Sequence, residues 1–589
     1  MPGIVGIVGL SPEPEQVVRR MISAMQHEPD YVCGTLLEPS LGISAAWVAH
    51  PGSYGERVGV VSAPGRLSVL VAGQCLAAGN GSEGLLSWYE QKGDGFVEEL
   101  DGSFSGLLLD PAGGRALLFN DRFGIERLYY YETQDALYFA SEAKALLRVL
   151  PEVRRFDDEG VVQFLAYGTT LSGTTLFRGI RVMEPGSVWT FEGRHVVSRR
   201  RYFDVRNWRE MPGLTAEQYR EELPGACRDA VSLHLQFDAR VGISVTGGLD
   251  TRMILACLPA TVSATCYTFA GPDGETLDVR IGRRVANVCG LEHHTLRIGD
   301  DFLRNYCDLL ERTIYITDGC AGALHAHEIY FNALARDLAP IRVNGNFGSE
   351  ILRGMSTFGP SSLTRELLEP EWARRVADCV RERSALLSGE HPAVFAALHE
   401  VPTIHYGIPA AARSQLPLRM PFLSNRLLQL AVRAPAEELA STAACAGVIE
   451  RNNAALAAIA TDRGVVPAGG FRPWSRFFAE LTFKLDYWHK EGFPSALSGL
   501  EPALNVLSRF GVLGLHKFLP YRGWFRRELA DYVRDVLEDS RVREMPWWNT
   551  RALRELLGAH QSGRRNHLRE IHAVLTLAAV ERTLLGSST

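Results

Sequence analysis

The stretch Val241-Gly242-Ile243-Ser244-Val245-Thr246-Gly247-Gly248-Leu249-Asp250-Thr251-Arg252 constrains this chain more than any other. A β-branched run enters two adjacent glycines and leaves as Met253-Ile254-Leu255-Ala256-Cys257-Leu258, an apolar helical run that Pro259 stops. Strand, tight turn and helix in that order present unpaired backbone N–H groups at a strand end, a place suited to a phosphate-type anion. Gly247 and Gly248 let the backbone approach an anion closely, and Thr246 and Thr251 add hydroxyl donors. Asp250 would repel a bare phosphate, so its expected work is to hold a divalent cation that bridges phosphate oxygens. A structural turn is the bland alternative. Hydroxyls on both sides and an acid inside favour a nucleotide site.

The alternation continues around this stretch. Thr215 is expected to cap a helix over Ala216–Leu235. Residues 263–269 form a second buried strand, 276–288 a helix with Gly290 beyond its end, 293–296 a third strand and 341–344 a fourth, and Asp300 caps a further helix. The loop Gly345-Asn346-Phe347-Gly348-Ser349-Glu350 then leads into a helix start. This order predicts an α/β domain with a parallel, doubly wound sheet that binds ligands at the strand carboxyl ends. From about residue 435 the chain reads as a helical tail rich in aromatic and basic residues. Within it, Pro546-Trp547-Trp548 and Arg564-Arg565-Asn566-His567 are taken as core packing and surface charge rather than an acceptor groove.

Residues 1 to about 200 read differently. Short strands at 3–10, 67–71, 104–109, 115–119, 128–131, 137–140 and 187–190 predict an antiparallel sheet domain with few helices, one of them at 142–150 capped by Ser141.

Bulk properties exclude several classes. A chain of 589 residues is more than one domain. The net charge of -6 gives no reason to expect nucleic acid or an anionic membrane as partner. No apolar run is long enough to span a bilayer, and the glycine-broken start lacks the basic region of a signal peptide. Ten cysteines without a Cys-x-x-Cys pair favour reduced thiols in a cytoplasmic protein over disulfides or a zinc site.

Two sets of segments carry a family resemblance. Asp101-Gly102-Ser103-Phe104, the run from Asp121 to Tyr130 and the run from Leu137 to Leu146 resemble the glutaminase domain of asparagine synthetases. The resemblance implies an N-terminal-nucleophile hydrolase fold of two stacked sheets between helix layers (αββα). Thr246-Gly247-Gly248-Leu249-Asp250-Thr251 resembles the pyrophosphate loop of the adenine-nucleotide α-hydrolase group, which the same family carries in its synthetase domain. Asp278, Glu292-His293-His294, Asp318 and Met420-Pro421-Phe422-Leu423, with Ser424 in place of an Asp, match further segments of that domain. The implied division is 1–205, a degenerate glutaminase-like domain, and 213–589, an ATP-pyrophosphatase synthetase domain.

The departures from the family pattern matter as much. Position 2, where the family has its nucleophilic Cys, is Pro2, which has no thiol to attack an amide. The family's Asn-Gly-Glu oxyanion segment appears as Ala72-Gly73-Gln74, without the amide donor. Its His-Arg-Gly-Pro-Asp segment survives only as His27-Glu28-Pro29-Asp30. Cys33 and Cys75 are read as structural thiols rather than substitutes, because a reactive thiol needs an activating base beside it. In the loop after the fourth strand the family's second metal-binding Asp falls on Ser349 and its first Glu on Asn346, while Glu350 keeps a carboxylate. Glu350 reads either as a metal or base group or as an acid that favours its helix start.

The resemblance therefore implies ATP and Mg2+ as cofactors. Ser244, Thr246, Gly247, Gly248, Leu249, Asp250, Thr251, Thr268 and Gly345 are the expected nucleotide-binding positions. Asp250 and Glu350 are the expected metal ligands, and Glu350 and Lys490 the expected catalytic groups, with Lys484 a neighbouring alternative to Lys490. The expected reaction is ATP-dependent amide formation: a substrate carboxylate is adenylated, pyrophosphate leaves, and an amine displaces AMP, with no glutamine hydrolysed. β-Lactam synthetases, lasso-peptide cyclases and amide synthetases of natural-product pathways are relatives of this kind. A small-molecule or peptide carboxylate, an amine, and a precursor peptide or pathway protein are the expected partners. Two other readings stand beside it: an ammonia-dependent amidotransferase acting on a small acid or sugar acid, and a non-catalytic scaffold.

Overall fold

The computed structural model describes residues 2–586 apart from 77–80, 172, 239, 273, 362, 388, 467–472, 492–515, 517, 518 and 564. Eleven strands build its amino-terminal part: β1 Gly3–Gly9, β2 Val32–Glu38, β3 Ile43–Ala49, β4 Ser68–Leu76, β5 Asp101–Asp110, β6 Arg115–Asn120, β7 Tyr129–Glu132, β8 Ala136–Ala140, β9 Arg181–Val182, β10 Ser187–Glu192 and β11 His195–Arg201. They form two antiparallel sheets, in the orders β2-β3-β1-β8-β7-β9 and β11-β10-β6-β5-β4.

Period-two alternation explains how the sheets stack. Along β1, Ile4 and Val8 point into the core between the sheets with Leu70, Leu107 and Leu118. Val5 and Ile7 point the other way, toward Val18 and Met21 of the helix Pro14–Ser23 and Leu146 of the helix Ala143–Val149. The second sheet's outer face is covered by Val58 of Tyr54–Val61 and Leu85 of Ser82–Lys92. Helix, sheet, sheet, helix is thus the observed layering, as the glutaminase resemblance implies.

One local expectation changes. Ser141 does not cap the helix after β8: its Oγ accepts from the Ile4 N–H at 2.9 Å and ties down β1. The helix begins at Ala143, and the Asp318 carboxylate accepts from the Ala143 and Lys144 N–H groups at 2.7 and 3.0 Å. A charged acceptor from a distant segment binds those amides more strongly than a neighbouring hydroxyl.

Five strands build the second sheet system: β12 Arg240–Ser244, β13 Ser263–Ala270, β14 His293–Arg297, β15 Arg342–Val343 and β16 Leu418–Arg419. They are parallel, in the order β14-β13-β12-β15-β16. Thr215 caps Ala216–Leu235 through a capping box with Gln218, as its sequence predicts. The chain winds outward from β12 to β14, then returns to place β15 on β12's other side. The switch point between β12 and β15 opens a crevice at their carboxyl ends.

The helical tail is no appendage. Trp524, Phe525, Trp548, Leu553 and Val574 join one buried cluster with Val5 and Ile7 of the first sheet and Tyr306 and Ile314 of the helix Tyr306–Thr317. Trp547 and Trp548 are core residues, each 2% exposed, whereas Arg564 lies outside the described residues. All ten cysteines are free thiols. Among the described residues, no helix is long and apolar enough to cross a membrane.

Candidate active site

The turn after β12 sorts its side chains by position. Val245, Gly247 and Leu249 are buried beneath it, whereas Ser244, Thr246, Gly248 and Asp250 are partly exposed. The turn is braced from below. The Asp278 carboxylate accepts from the Gly247 N–H at 2.7 Å. Arg252, fully buried, donates to the Gly247 carbonyl at 3.3 Å and to the Ile459 carbonyl. Burial brings the Arg252 guanidinium down to about 10. Thr268 is 1% exposed, and its hydroxyl donates to the Val245 carbonyl at 2.8 Å and meets His293 Nε2 at 2.9 Å. Thr268 is therefore a strut under the turn and not an open donor. Thr251 is likewise buried, at 4% exposure. The Gly247 N–H, expected to face the phosphate, is engaged by Asp278.

The loop after β15 closes over the turn. A Cβ on Gly345 would lie 2.9 Å from both Asp250 Cβ and the Thr251 amide nitrogen, and one on Gly348 would lie 2.9 Å from Asp250 Cγ. These glycines let the two segments touch. Gly345→Ala is expected to cost about 1–3 kcal/mol in chemical denaturation through overpacking. The same variant should loosen the loop over Asp250, seen as faster amide exchange over 345–353, and unchanged exchange would show that this contact does not hold the loop.

The contact delivers two groups to Asp250 and sends a third elsewhere. Ser349 Oγ donates to Asp250 Oδ2 at 2.7 Å. Arg353 Nη2 donates to Oδ1 at 2.9 Å, to Oδ2 at 2.8 Å and to Ser349 Oγ at 2.5 Å. Glu350 points to a second cluster, with Oε1 3.7 Å from His405 Nε2. Burial pushes the Glu350 carboxyl up to about 7, aided by the charges of Asp250 and Glu400 and opposed by Arg353. Burial also lowers the His405 imidazole. Glu400, 1% exposed, accepts from Ser356 Oγ and the N–H groups of Thr357 and Phe358 and so fixes the loop beside them.

The two carboxylates expected to hold a metal, Asp250 and Glu350, are each engaged by another side chain in this arrangement. Both Asp250 oxygens are bonded to a guanidinium, the position beside it offers a neutral hydroxyl, and Glu350 turns to His405. Among the described residues, no group of three or more His, Cys, Asp or Glu side chains is arranged to hold a metal. Mg2+ is usually held by one or two carboxylates with waters and substrate phosphates, and with both Asp250 oxygens on Arg353 and Glu350 turned to His405 this donor set does not fit it. Lys490 falls in the last turn of the helix Pro473–Glu491, and its side chain lies outside the described residues.

Sequence reasoning missed Arg353, His405 and Glu400. Arg353 stands four residues after Ser349, the spacing of helical neighbours, and that signal was available. His405 and Glu400 reach Glu350 only through tertiary packing.

At the other end of β12, Arg240 lines a cavity of about 570 Å3 between the two parts of the chain. Pro2, His50, Gln74, Glu126 and Arg413 also line it, and no cysteine is among its lining residues. Burial brings the His50 imidazole down to about 4 and the Glu126 carboxyl up to about 7. Cys75 lies buried elsewhere, and burial raises its thiol well above the ordinary range, which makes it inert. Cys33 is exposed and accepts from Gln26 Nε2 at 3.3 Å.

Comparison with known proteins agrees with both halves. The family model of a glutamine amidotransferase domain matches residues 69–203, and that of asparagine synthase matches 222–403 and 516–582. The glutamine-hydrolysing asparagine synthetase 1 of Bacillus subtilis (strain 168) is 24% identical over 47% of this chain and 43% of its own. The glutamine-hydrolysing asparagine synthetase B of Escherichia coli (strain K12) is 24% identical over 60% of this chain and 58% of its own. Amidase chry2 of Gibberella zeae is 25% identical over 37% of this chain and 35% of its own. The chain spans about half the length, or less, of these curated relatives. The paired domain matches, the stacked antiparallel sheets and the glycine turn at the parallel sheet's switch point together place this chain in the asparagine synthetase family.

Proposed function

We propose that this protein is an AMP-forming amide ligase that couples a substrate carboxylate to an amine without hydrolysing glutamine. The supporting observation is the meeting of two segments at the switch point. The turn at Thr246–Thr251 sits against the loop that carries Glu350. A nucleotide bound over the turn would bring its α-phosphorus to the Glu350 side of the crevice. The working division is 1–205 for the glutaminase-like part and 213–589 for the synthetase part.

The steps follow from the residues present. Ser244, Thr246 and Gly248 are partly exposed and would position the triphosphate, with Asp250 paired to Arg353 and Gly345 allowing the loop to close. A carboxylate oxygen of the substrate attacks the α-phosphorus, the bond to the β-phosphate oxygen breaks, and pyrophosphate leaves. The amine then attacks the acyl carbon and AMP departs. Glu350, with its carboxyl near 7, is suited to take the proton that the amine loses. Positioning supplies most of the acceleration in such a step. Lys490 is proposed as a second cation on the adenylate. Mg2+ is proposed only as a solution counter-ion of ATP that binding does not require, and no step here depends on a protein-held ion.

The cavity around Pro2 supports the loss of glutamine hydrolysis, since its lining offers no thiol. The amine would then come from a substrate, as in β-lactam or peptide ring formation. A peptide or small-molecule acid of specialised metabolism, with a precursor peptide or pathway protein as partner, fits this reading. Ten free thiols fit a reducing compartment such as the cytoplasm.

An ATP–pyrophosphate exchange screen over candidate carboxylates tests the proposal. Exchange should depend on one carboxylate class and fall roughly 10²-fold in Asp250→Asn. Exchange that no carboxylate stimulates would sink the reading. The purified protein should release no glutamate from glutamine, and measurable release would restore the glutaminase. Turnover with ammonium alone would favour the amidotransferase.

A further inference from the structure

We propose that Arg353 does the charge-neutralising work of a protein-held divalent cation, so that ATP binds at the turn with no metal ion coordinated by the protein. The inference rests on the ATP reading above. Asp250 lies at the phosphate turn and, unneutralised, would repel a triphosphate. A chelated cation is one remedy, and a fixed guanidinium is another.

Three observations favour the guanidinium. Arg353 Nη2 bonds both oxygens of Asp250, so a metal could bind there only after displacing a charged partner. Ser349 supplies a neutral hydroxyl to the same carboxylate and accepts from the same nitrogen, which completes a closed three-residue unit. Gly345 and Gly348 pack the loop against Asp250 within Cβ distance, so the unit is held between two segments. The Asp250 and Arg353 side chains are 20% and 15% exposed.

The guanidinium has capacity left over. Arg353 Nε is buried and has no hydrogen-bond partner among the described residues. Phosphate oxygens are fitting acceptors for the planar, permanently charged guanidinium fork. With Nη2 on Asp250, the paired unit presents no net negative charge to a phosphate at the turn. The same pairing explains why an acid at position 349 is dispensable: with Arg353 present, a second carboxylate would restore the negative charge that the arginine removes.

Calorimetric titration of the full-length protein with ATP, in magnesium and in EDTA, tests this directly. The wild-type Kd is expected to change by less than about threefold between the two buffers. Arg353→Gln should weaken binding in EDTA by at least about tenfold, since the charge-assisted pair is lost and Asp250 is left unneutralised. In Ser349→Asp/Arg353→Gln, affinity in magnesium should exceed that in EDTA by more than about tenfold, because two carboxylates then need a cation. Mn2+ titrated onto the nucleotide-free wild type, followed by paramagnetic resonance, should find no site that Asp250→Asn removes.

A wild-type affinity that falls more than about tenfold in EDTA would overturn the inference, as would a wild-type Mn2+ site that Asp250→Asn abolishes. Both wild-type measurements stand even where a variant fails to fold. Absence of ATP binding in both buffers would remove the adenylation reading itself, and this inference with it.

Discussion

Glu350→Gln is expected to lower amide formation by on the order of 10³, the scale of a lost general base, while making the fold more stable at alkaline pH. The sign follows from the direction of the shift. The folded-state carboxyl stands at about 7, above its ordinary 4.5, because burial resists ionisation. Asp250, Glu400 and Arg353 also act on it, and His405 faces it across 3.7 Å. Below the ordinary value the carboxyl is protonated in both states, and the variant and wild type should match. As pH rises through the window from 4.5 to 7, the unfolded chain releases its proton first and the wild type loses stability relative to the variant. Above 7 the difference should level off at roughly 3 kcal/mol. Denaturation at pH 5 and pH 8 measures it, and equal stability at both would show that Glu350 is not held neutral by burial. The wild-type rate should also climb along an acid limb near pH 7, and that limb should vanish in the variant.

Asp318→Ala is expected to destabilise the protein by about 3–5 kcal/mol, the cost of breaking a buried ion pair by removing one partner. Asp318 is 4% exposed and sits in the left-handed region at φ 52°. Its carboxylate accepts from the Ala143 and Lys144 N–H groups and pairs with Lys144 Nζ at 3.2 Å. Lys144 also bonds Glu142, which meets His27 Nε2 at 2.8 Å. Burial lowers both the His27 imidazole and the Lys144 ammonium. Removing Asp318 would strand two amide donors and half of the lysine's charge compensation between the two parts of the chain. Asp318→Asn, which tolerates positive φ and keeps one acceptor, should recover part of the loss. Faster amide exchange over 143–149 should accompany the change. A loss in Asp318→Ala below about 1 kcal/mol would show that the contact contributes no more than a surface pair.

These two residues also mark what was legible beforehand. Glu350 was singled out because it alone keeps an acid in an altered loop, and the structure sets it beside His405 and Glu400. Asp318 was matched to a synthetase-domain segment by resemblance, and in the folded chain it anchors the two parts to each other. Its partners at Ala143 and Lys144 are far away in sequence, and no local pattern announces them. Ser141 failed as a helix cap for the same reason, since a distant carboxylate outcompetes a neighbouring hydroxyl. Asp250 was read as a metal ligand because a lone acid at a phosphate turn needs neutralising. In the folded chain that acid is paired with Arg353, one helical turn beyond Ser349.

Local chemistry in the sequence determined the parts that depend on neighbours along the chain. The strand, glycine turn and helix at 241–256, the capping box at Thr215, the alternation along β1 and the missing thiol at Pro2 all follow from adjacent residues and fixed periodicities. Tertiary structure alone decided which charges meet. The folded chain gave Asp250 to Arg353, turned Glu350 toward His405, spent Thr268 and the Gly247 N–H on internal braces, and drew the tail into a core shared by both parts. Backbone preference is local, whereas Coulomb interactions and burial depend on distances through space, and only the folded chain sets those distances.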